Sequence, residues 1–283
     1  MTNPVPLTAF ATQSGPTHKG GGMATLPDGR LLFATGDALP FGTNGREGAQ
    51  DDTTSVSKLF AISPSGEVEL LAKGLRQPQR LEFVDTGGNG PTLLAIGEIG
   101  GVTSEEINIA PLDELLDTSF IENFGWGIAT DGQGREGTFY TGPGVAGIFG
   151  TQPPAIGVAP VPEAGYIQPH AQYGRFDPSA FIAIAGPVTS RPSFELIKTL
   201  FVDLPSGQFL ATTISENGPA TYGTNEPVCK VQIMDKNGVF FETANKYFQS
   251  ENRLDPRPFR FPSGKAGVLF ERTGEYYIIE EIQ

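Results

Sequence analysis

The chain has 283 residues, with 19 lysines and arginines against 32 aspartates and glutamates and a formal net charge of −13. That balance excludes nucleic-acid binding through a broad basic surface, because phosphate recognition relies on clustered cations. The 37 glycines and 24 prolines exclude a helical bundle, since in helix interiors they cost roughly 1 and 3 kcal/mol each. The 20 Phe and 7 Tyr supply apolar surface that a disordered chain lacks. A turn-rich, all-β globular protein is what remains, and the length suits one large β domain or two small ones. Cys229 is the only cysteine, which rules out an intrachain disulfide or a thiolate zinc cluster. Met1 to Pro16 has neither the basic nor the apolar region of a secretory signal. No run approaches the roughly 18 apolar residues of a membrane helix, so the chain as it stands is expected to be soluble and not exported.

Short apolar segments rich in β-branched and aromatic residues alternate with turn signals, the pattern of antiparallel hairpins. Leu26-Pro27-Asp28-Gly29 leads into a predicted strand over Arg30 to Thr35. Ser63-Pro64-Ser65-Gly66 separates strands over Lys58 to Ile62 and Val68 to Ala72, and Thr86 to Pro91 separates Leu81 to Val84 from Thr92 to Ile96. Leu112 to Leu116 is the best helix candidate. Ile128 to Ile167 is a long Gly/Pro-rich stretch, read as lining a site rather than as a linker. Hairpins are then expected over Leu200 to Asp203 with Gln208 to Thr213, over Lys230 to Met234 with Val239 to Thr243, and over Gly267 to Glu271 with Glu275 to Ile279. Recurring hairpins of this kind build a sandwich or a β-propeller, and their irregular spacing leaves both open.

Three segments carry chemistry. His18 precedes the glycine run Gly20 to Gly22, and Asp37 follows the strand that ends at Thr35. The two can share one end of a hairpin, where an imidazole acts as base and a carboxylate orients it. A lone histidine taken by itself is more often a surface or hydrogen-bonded structural residue. Gly74-Leu75-Arg76-Gln77-Pro78-Gln79 puts a cation and two amides before a strand. Arg76 there can bind an anion or polarise a carbonyl, or simply be solvated. Gly97-Glu98-Ile99-Gly100-Gly101, followed by Ser104-Glu105-Glu106-Ile107-Asn108 and by Asn123-Phe124-Gly125-Trp126-Gly127, sets carboxylates beside glycine turns. Such sets suit calcium, which takes six to eight oxygen ligands. In so acidic a chain the same segment also reads as a solvated acidic loop.

In this order, and with Ala49-Gln50-Asp51, Lys58-Leu59-Phe60-Ala61-Ile62, Pro169-His170-Ala171-Gln172-Tyr173 and Arg253-Leu254-Asp255-Pro256-Arg257, the chain resembles the soluble glucose/sorbosone dehydrogenase family. Members of that family are six-bladed β-propellers that bind pyrroloquinoline quinone and calcium. The resemblance implies a propeller domain over 18–283 and a poorly structured extension over 1–17. It also implies oxidation of an aldose sugar with hydride passing to the quinone and then to an unidentified electron acceptor. His18 matches the general base, Asp37 the acid after the Thr-Gly strand end, and Arg76 the contact to the quinone oxygens. Gln77, Gly100, Gly101, Arg253 and Arg257 complete the implied cofactor contacts. Carbonyls of Gly100 and Gly101 would hold the cofactor calcium, with Glu106 and the Phe124 carbonyl in a second calcium site. Members of the family are typically periplasmic or secreted.

Some positions depart from the family pattern. Gln77 stands in place of an asparagine, Ile99 in place of a glutamine, and Pro205 or Ser206 in place of a cofactor-contacting lysine. An isoleucine cannot replace the lost hydrogen bonds, and an unsatisfied buried partner costs roughly 1–3 kcal/mol. The family also places roughly two blades before the His-Gly-Gly segment, so this chain is expected to hold about four. Two further functions stay open: a propeller that binds sugar or protein without catalysis, and a calcium-dependent lactonase-type propeller.

Overall fold

The computed structural model describes residues 18–38, 45–86, 91–99, 104–126, 167, 169–174, 184–190, 196–203, 207–215, 228–261 and 265–280. These residues are mostly β-sheet. The first sheet is an antiparallel meander of β1 (Gly20–Thr25), β2 (Leu31–Thr35), β3 (Lys58–Ile62) and β4 (Val68–Lys73). β8 (Glu122–Asn123) adds in parallel to the edge of β4. The second sheet orders β5 (Pro78–Asp85), β6 (Thr92–Glu98), β7 (Ser104–Pro111) and β9 (Ala171–Gly174), all antiparallel. The third orders β10 (Ile184–Ser190), β11 (Leu196–Asp203), β12 (Phe209–Ser215) and β13 (Cys229–Val231). A two-stranded ribbon, β14 (Ile233–Met234) with β15 (Phe240–Phe241), precedes the fourth sheet of β16 (Pro256–Arg260), β17 (Ala266–Phe270) and β18 (Glu275–Ile278). Three short helices interrupt the strands: α1 (Gly45–Gln50), α2 (Leu112–Leu115) and α3 (Ala244–Tyr247).

The sheets stack face to face in chain order, and β6 shows why. Its side chains alternate between two cores: Leu94 and Ile96 pack with Leu32, Leu59 and Leu71 of the first sheet, whereas Leu93 and Ala95 pack with Leu210 and Ile214 of the third. A strand buried on both faces has no polar alternation, which is what Thr92-Leu93-Leu94-Ala95-Ile96 displays. Each buried Leu or Ile contributes roughly 1.5–3 kcal/mol. A third core joins Val202 and Phe209 of the third sheet to Leu254, Val268 and Phe270 of the fourth. The first strands of the four sheets, β1, β5, β10 and β16, pack side by side in that order.

Most predicted hairpins coincide with observed ones, and β3 has the predicted bounds. Two expectations need correction, and one strand was not anticipated. The segment read as a solvated acidic loop is the buried strand β7, with Glu105, Glu106 and Asn108 inside the protein. The run Lys230 to Met234 splits, because β13 joins β12 of the third sheet before β14 turns into its own ribbon. β16 forms despite Pro256 and Pro258, because it is an edge strand paired only with β17 and an edge tolerates a missing N–H. The 1–17 extension and most of the stretch from Ile128 to Ile167 lie outside the described residues. Among the described residues no helix is long and apolar enough to cross a membrane.

Candidate functional site

The ends of β1, β2, β5 and β6 meet where the chemistry-bearing residues gather. His18 leads into β1 and Asp37 follows β2. Their approach depends on a glycine: a Cβ on Gly36 would lie 2.1 Å from the His18 carbonyl oxygen. That carbonyl accepts the Ala38 amide at 3.0 Å. The result is a bond of 2.8 Å between His18 Nδ1 and Asp37 Oδ1. Asp37 is buried, while 12% of the His18 side chain stays exposed, so the dyad has a wet side and a dry side. His18 holds φ at 53°, a left-handed conformation that costs a non-glycine residue of order 1–3 kcal/mol and clusters at functional sites.

The Asp37 amide donates to the Arg76 carbonyl at 2.7 Å, which ties the first hairpin to the start of β5. Arg76 is buried, its Nη1 donates to the Ile99 carbonyl at 3.0 Å, and its guanidinium lies 5.4 Å from the centre of the Trp126 ring. A cation over an indole face is held by the ring quadrupole as well as by its hydrogen bonds. The Arg76 amide donates to the Glu98 carboxyl, which also accepts from Asn108 Nδ2 at 3.0 Å. Burial pushes the Glu98 carboxyl up to about 7; the bonds and charge of Arg76 and the Gln77 amide oppose that rise, and the charge of Asp37 adds to it.

Of the residues singled out in the sequence, His18, Asp37, Arg76 and Gln77 come together here. The Gln77 carbonyl accepts the Ile99 amide at 3.1 Å. Glu106 is buried on β7 directly opposite Glu98 of β6. Phe124 is buried in the first core, and its amide donates to the Lys73 carbonyl at 2.9 Å. Arg253 and Arg257 sit at and beside β16, engaged with Asp255 and Glu271 of the C-terminal region. Gly100, Gly101, Pro205 and Ser206 lie outside the described residues. The side chain of Ile99 packs against the third core. Among the described residues no group of three or more His, Cys, Asp or Glu could hold a metal.

Glu98 was legible only as one of the carboxylates beside glycine turns, and Asn108, Gln50, Asn123 and Trp126 carried no individual role in the sequence. A signal for Glu98 existed, because a carboxylate closing the apolar run Thr92 to Ile96 is a candidate buried charge. Gln50 and Asn123 lie 73 residues apart and meet only through the fold.

No family model matches the chain, and no curated protein does. Among solved structures the chain is similar to the PQQ-bound form of aldose sugar dehydrogenase from Streptomyces coelicolor. The identity is 19%, over 92% of this chain and 58% of that one, with a TM-score of 0.50. It is also similar to an oxidoreductase from Thermus thermophilus assigned as a glucose dehydrogenase, at 19% identity over 94% of this chain and 64% of that one, with a TM-score of 0.50. At that identity the likeness shows the fold alone. The chain spans about three fifths of the length of these two proteins, 58% and 64%.

Proposed function

We propose that this chain carries the catalytic end of a quinone-dependent sugar dehydrogenase built on a β-propeller, with its four stacked sheets as about four blades. The observation that carries the reading is the His18–Asp37 pair at 2.8 Å, joined through the Arg76 backbone to a guanidinium stacked on Trp126. In this reading His18 Nε2 takes the proton of the sugar hydroxyl. Asp37 holds Nδ1, fixes the tautomer and stabilises the imidazolium that forms. A buried cation on an aromatic face is the chemistry that a planar, polyanionic quinone needs, so the residues present fit pyrroloquinoline quinone at Arg76, with Gln77 beside it. Bound there, the quinone would supply the acceptor for the hydride of the sugar carbon. The electron acceptor that follows is unidentified.

Calcium belongs to the same reading. Gly100, Gly101, Glu106 and the Phe124 carbonyl would offer it hard oxygen donors. The facing pair Glu98 and Glu106 favours a nearby positive charge, because like charges directly opposite in a sheet destabilise it. Arg253 and Arg257 keep a proposed role in holding the cofactor's carboxylates, which would require them to leave Asp255 and Glu271.

A second reading is a propeller that binds sugar or a protein partner without redox chemistry. It is favoured by Ile99, which meets Arg76 with a backbone carbonyl and directs its side chain into the third core. Titration with calcium and with quinone, each followed by thermal melting, separates the two. Stabilisation by both supports the dehydrogenase, and stabilisation by calcium alone supports the binding protein.

A further inference from the structure

Trp126 is the only tryptophan of the chain, it is buried, and its backbone is held at both ends. Its amide donates to the Gly74 carbonyl at 2.9 Å, and its carbonyl accepts from Gln50 Nε2 at 2.6 Å. Gln50, the last residue of α1, also exchanges bonds with Asn123 of β8. Asn123 Nδ2 donates to Gln50 Oε1 at 2.7 Å, and Gln50 Nε2 donates to Asn123 Oδ1 at 3.2 Å. Asn123 Oδ1 further accepts the Gly125 amide at 3.0 Å. The amide pair closes on the turn before β5, since a Cβ on Gly74 would lie 2.5 Å from Asn123 Oδ1 and 3.0 Å from Gln50 Nε2. Arg76 follows that turn by two residues.

We infer that Gln50 and Asn123 are positioning residues: their reciprocal amide pair clamps the Gly74 turn and holds Trp126 beneath the Arg76 guanidinium. Neither carries charge. Their effect on ligand binding, which rests on the proposed function, runs through Arg76. Three segments distant in sequence are thereby locked by amides whose geometry neither an acid nor a shorter side chain reproduces.

The emission of Trp126 tests the clamp without any ligand. Gln50→Ala is expected to shift the emission to the red and raise its quenching by acrylamide. Asn123→Asp keeps the acceptor for the Gly125 amide and loses the donor to Gln50, so it should produce the same change, and the double variant no more than either alone. Gln50→Glu keeps the acceptor for Asn123 and loses the donor to the Trp126 carbonyl. It should also expose Trp126, and it serves as the readout if Asn123→Asp fails to fold. Quinone affinity should fall in Gln50→Ala but not fall further when Arg76→Ala is already present. Emission and quenching unchanged in Gln50→Ala and Gln50→Glu would overturn the inference, as would equal losses of affinity with and without Arg76. Failure of the wild-type protein to bind quinone would count against the proposed function, while the emission still decides the clamp.

Discussion

The backbone of Arg76 links two buried acidic residues, its amide donating to the Glu98 carboxyl and its carbonyl accepting the backbone amide of Asp37. One residue thus couples the first sheet to the second at the point where the candidate catalytic groups meet. Glu98→Ala removes the acceptor of both the Arg76 amide and Asn108 Nδ2. Each buried donor left unsatisfied costs about 1–3 kcal/mol, so urea denaturation should show a loss of at least that size. Glu98→Gln, which keeps one acceptor oxygen, should lose less. Equal stability of Glu98→Ala and the wild type would refute this role.

Gly36 is held to a hydrogen at Cα by the His18 carbonyl, 2.1 Å from where a Cβ would stand. Gly36→Ala must displace the backbone that carries His18, with a cost of about 1–3 kcal/mol typical of overpacking. The same displacement separates His18 from Asp37. Chemical denaturation and sugar oxidation should therefore fall together, and a variant as stable and active as the wild type would show that the close approach is unimportant.

Lys58 is buried, and its Nζ donates to the carbonyls of Gly48, Ala49 and Val56 at 2.9, 3.0 and 2.6 Å. Burial pushes its ammonium down to about 8; the charges of Asp52 and Asp51 oppose that shift and Lys73 adds to it. In the unfolded chain the amine keeps its proton to about pH 10.4. Between about pH 8 and 10.4 the unfolded state holds more protons, so stability contributed by this group rises with pH across that window and is flat below it. Unfolding free energies of the wild type and Lys58→Met, measured from neutral pH upward, should diverge in favour of the wild type above about pH 8. A constant difference across the window would contradict the burial argument.

His18→Ala removes the proposed base but not the cation that would meet the ligand. Turnover with a saturating aldose should drop by about 10²–10⁴, the usual range for a general base, while quinone affinity stays close to that of the wild type. A variant that loses affinity and turnover equally would make His18 a binding residue instead.

The hairpins were legible because Gly29 and Gly66, both with φ of 89°, terminate apolar runs that could not otherwise reverse. The meeting of His18 with Asp37 was legible too, because a single hairpin brings its two ends together. β7 was misread because four polar side chains in the five residues Ser104 to Asn108 suggest solvent, and only pairing with β6 and β9 reveals that Glu106 and Asn108 are inside. The stacking of Arg76 on Trp126 and the contact of Gln50 with Asn123 depend on how the sheets are stacked, which local periodicity does not encode. The two faces of β6 were visible as a continuous apolar run, yet nothing in that run says which sheet covers which face.

Sugar-dependent reduction of an electron-accepting dye, after reconstitution with calcium and pyrroloquinoline quinone, separates a quinone-dependent dehydrogenase from a protein that only binds. Dye reduction should require both an aldose and the quinone and should disappear in His18→Ala. Absence of sugar-dependent reduction in the wild-type protein at saturating quinone and calcium would contradict the proposed function.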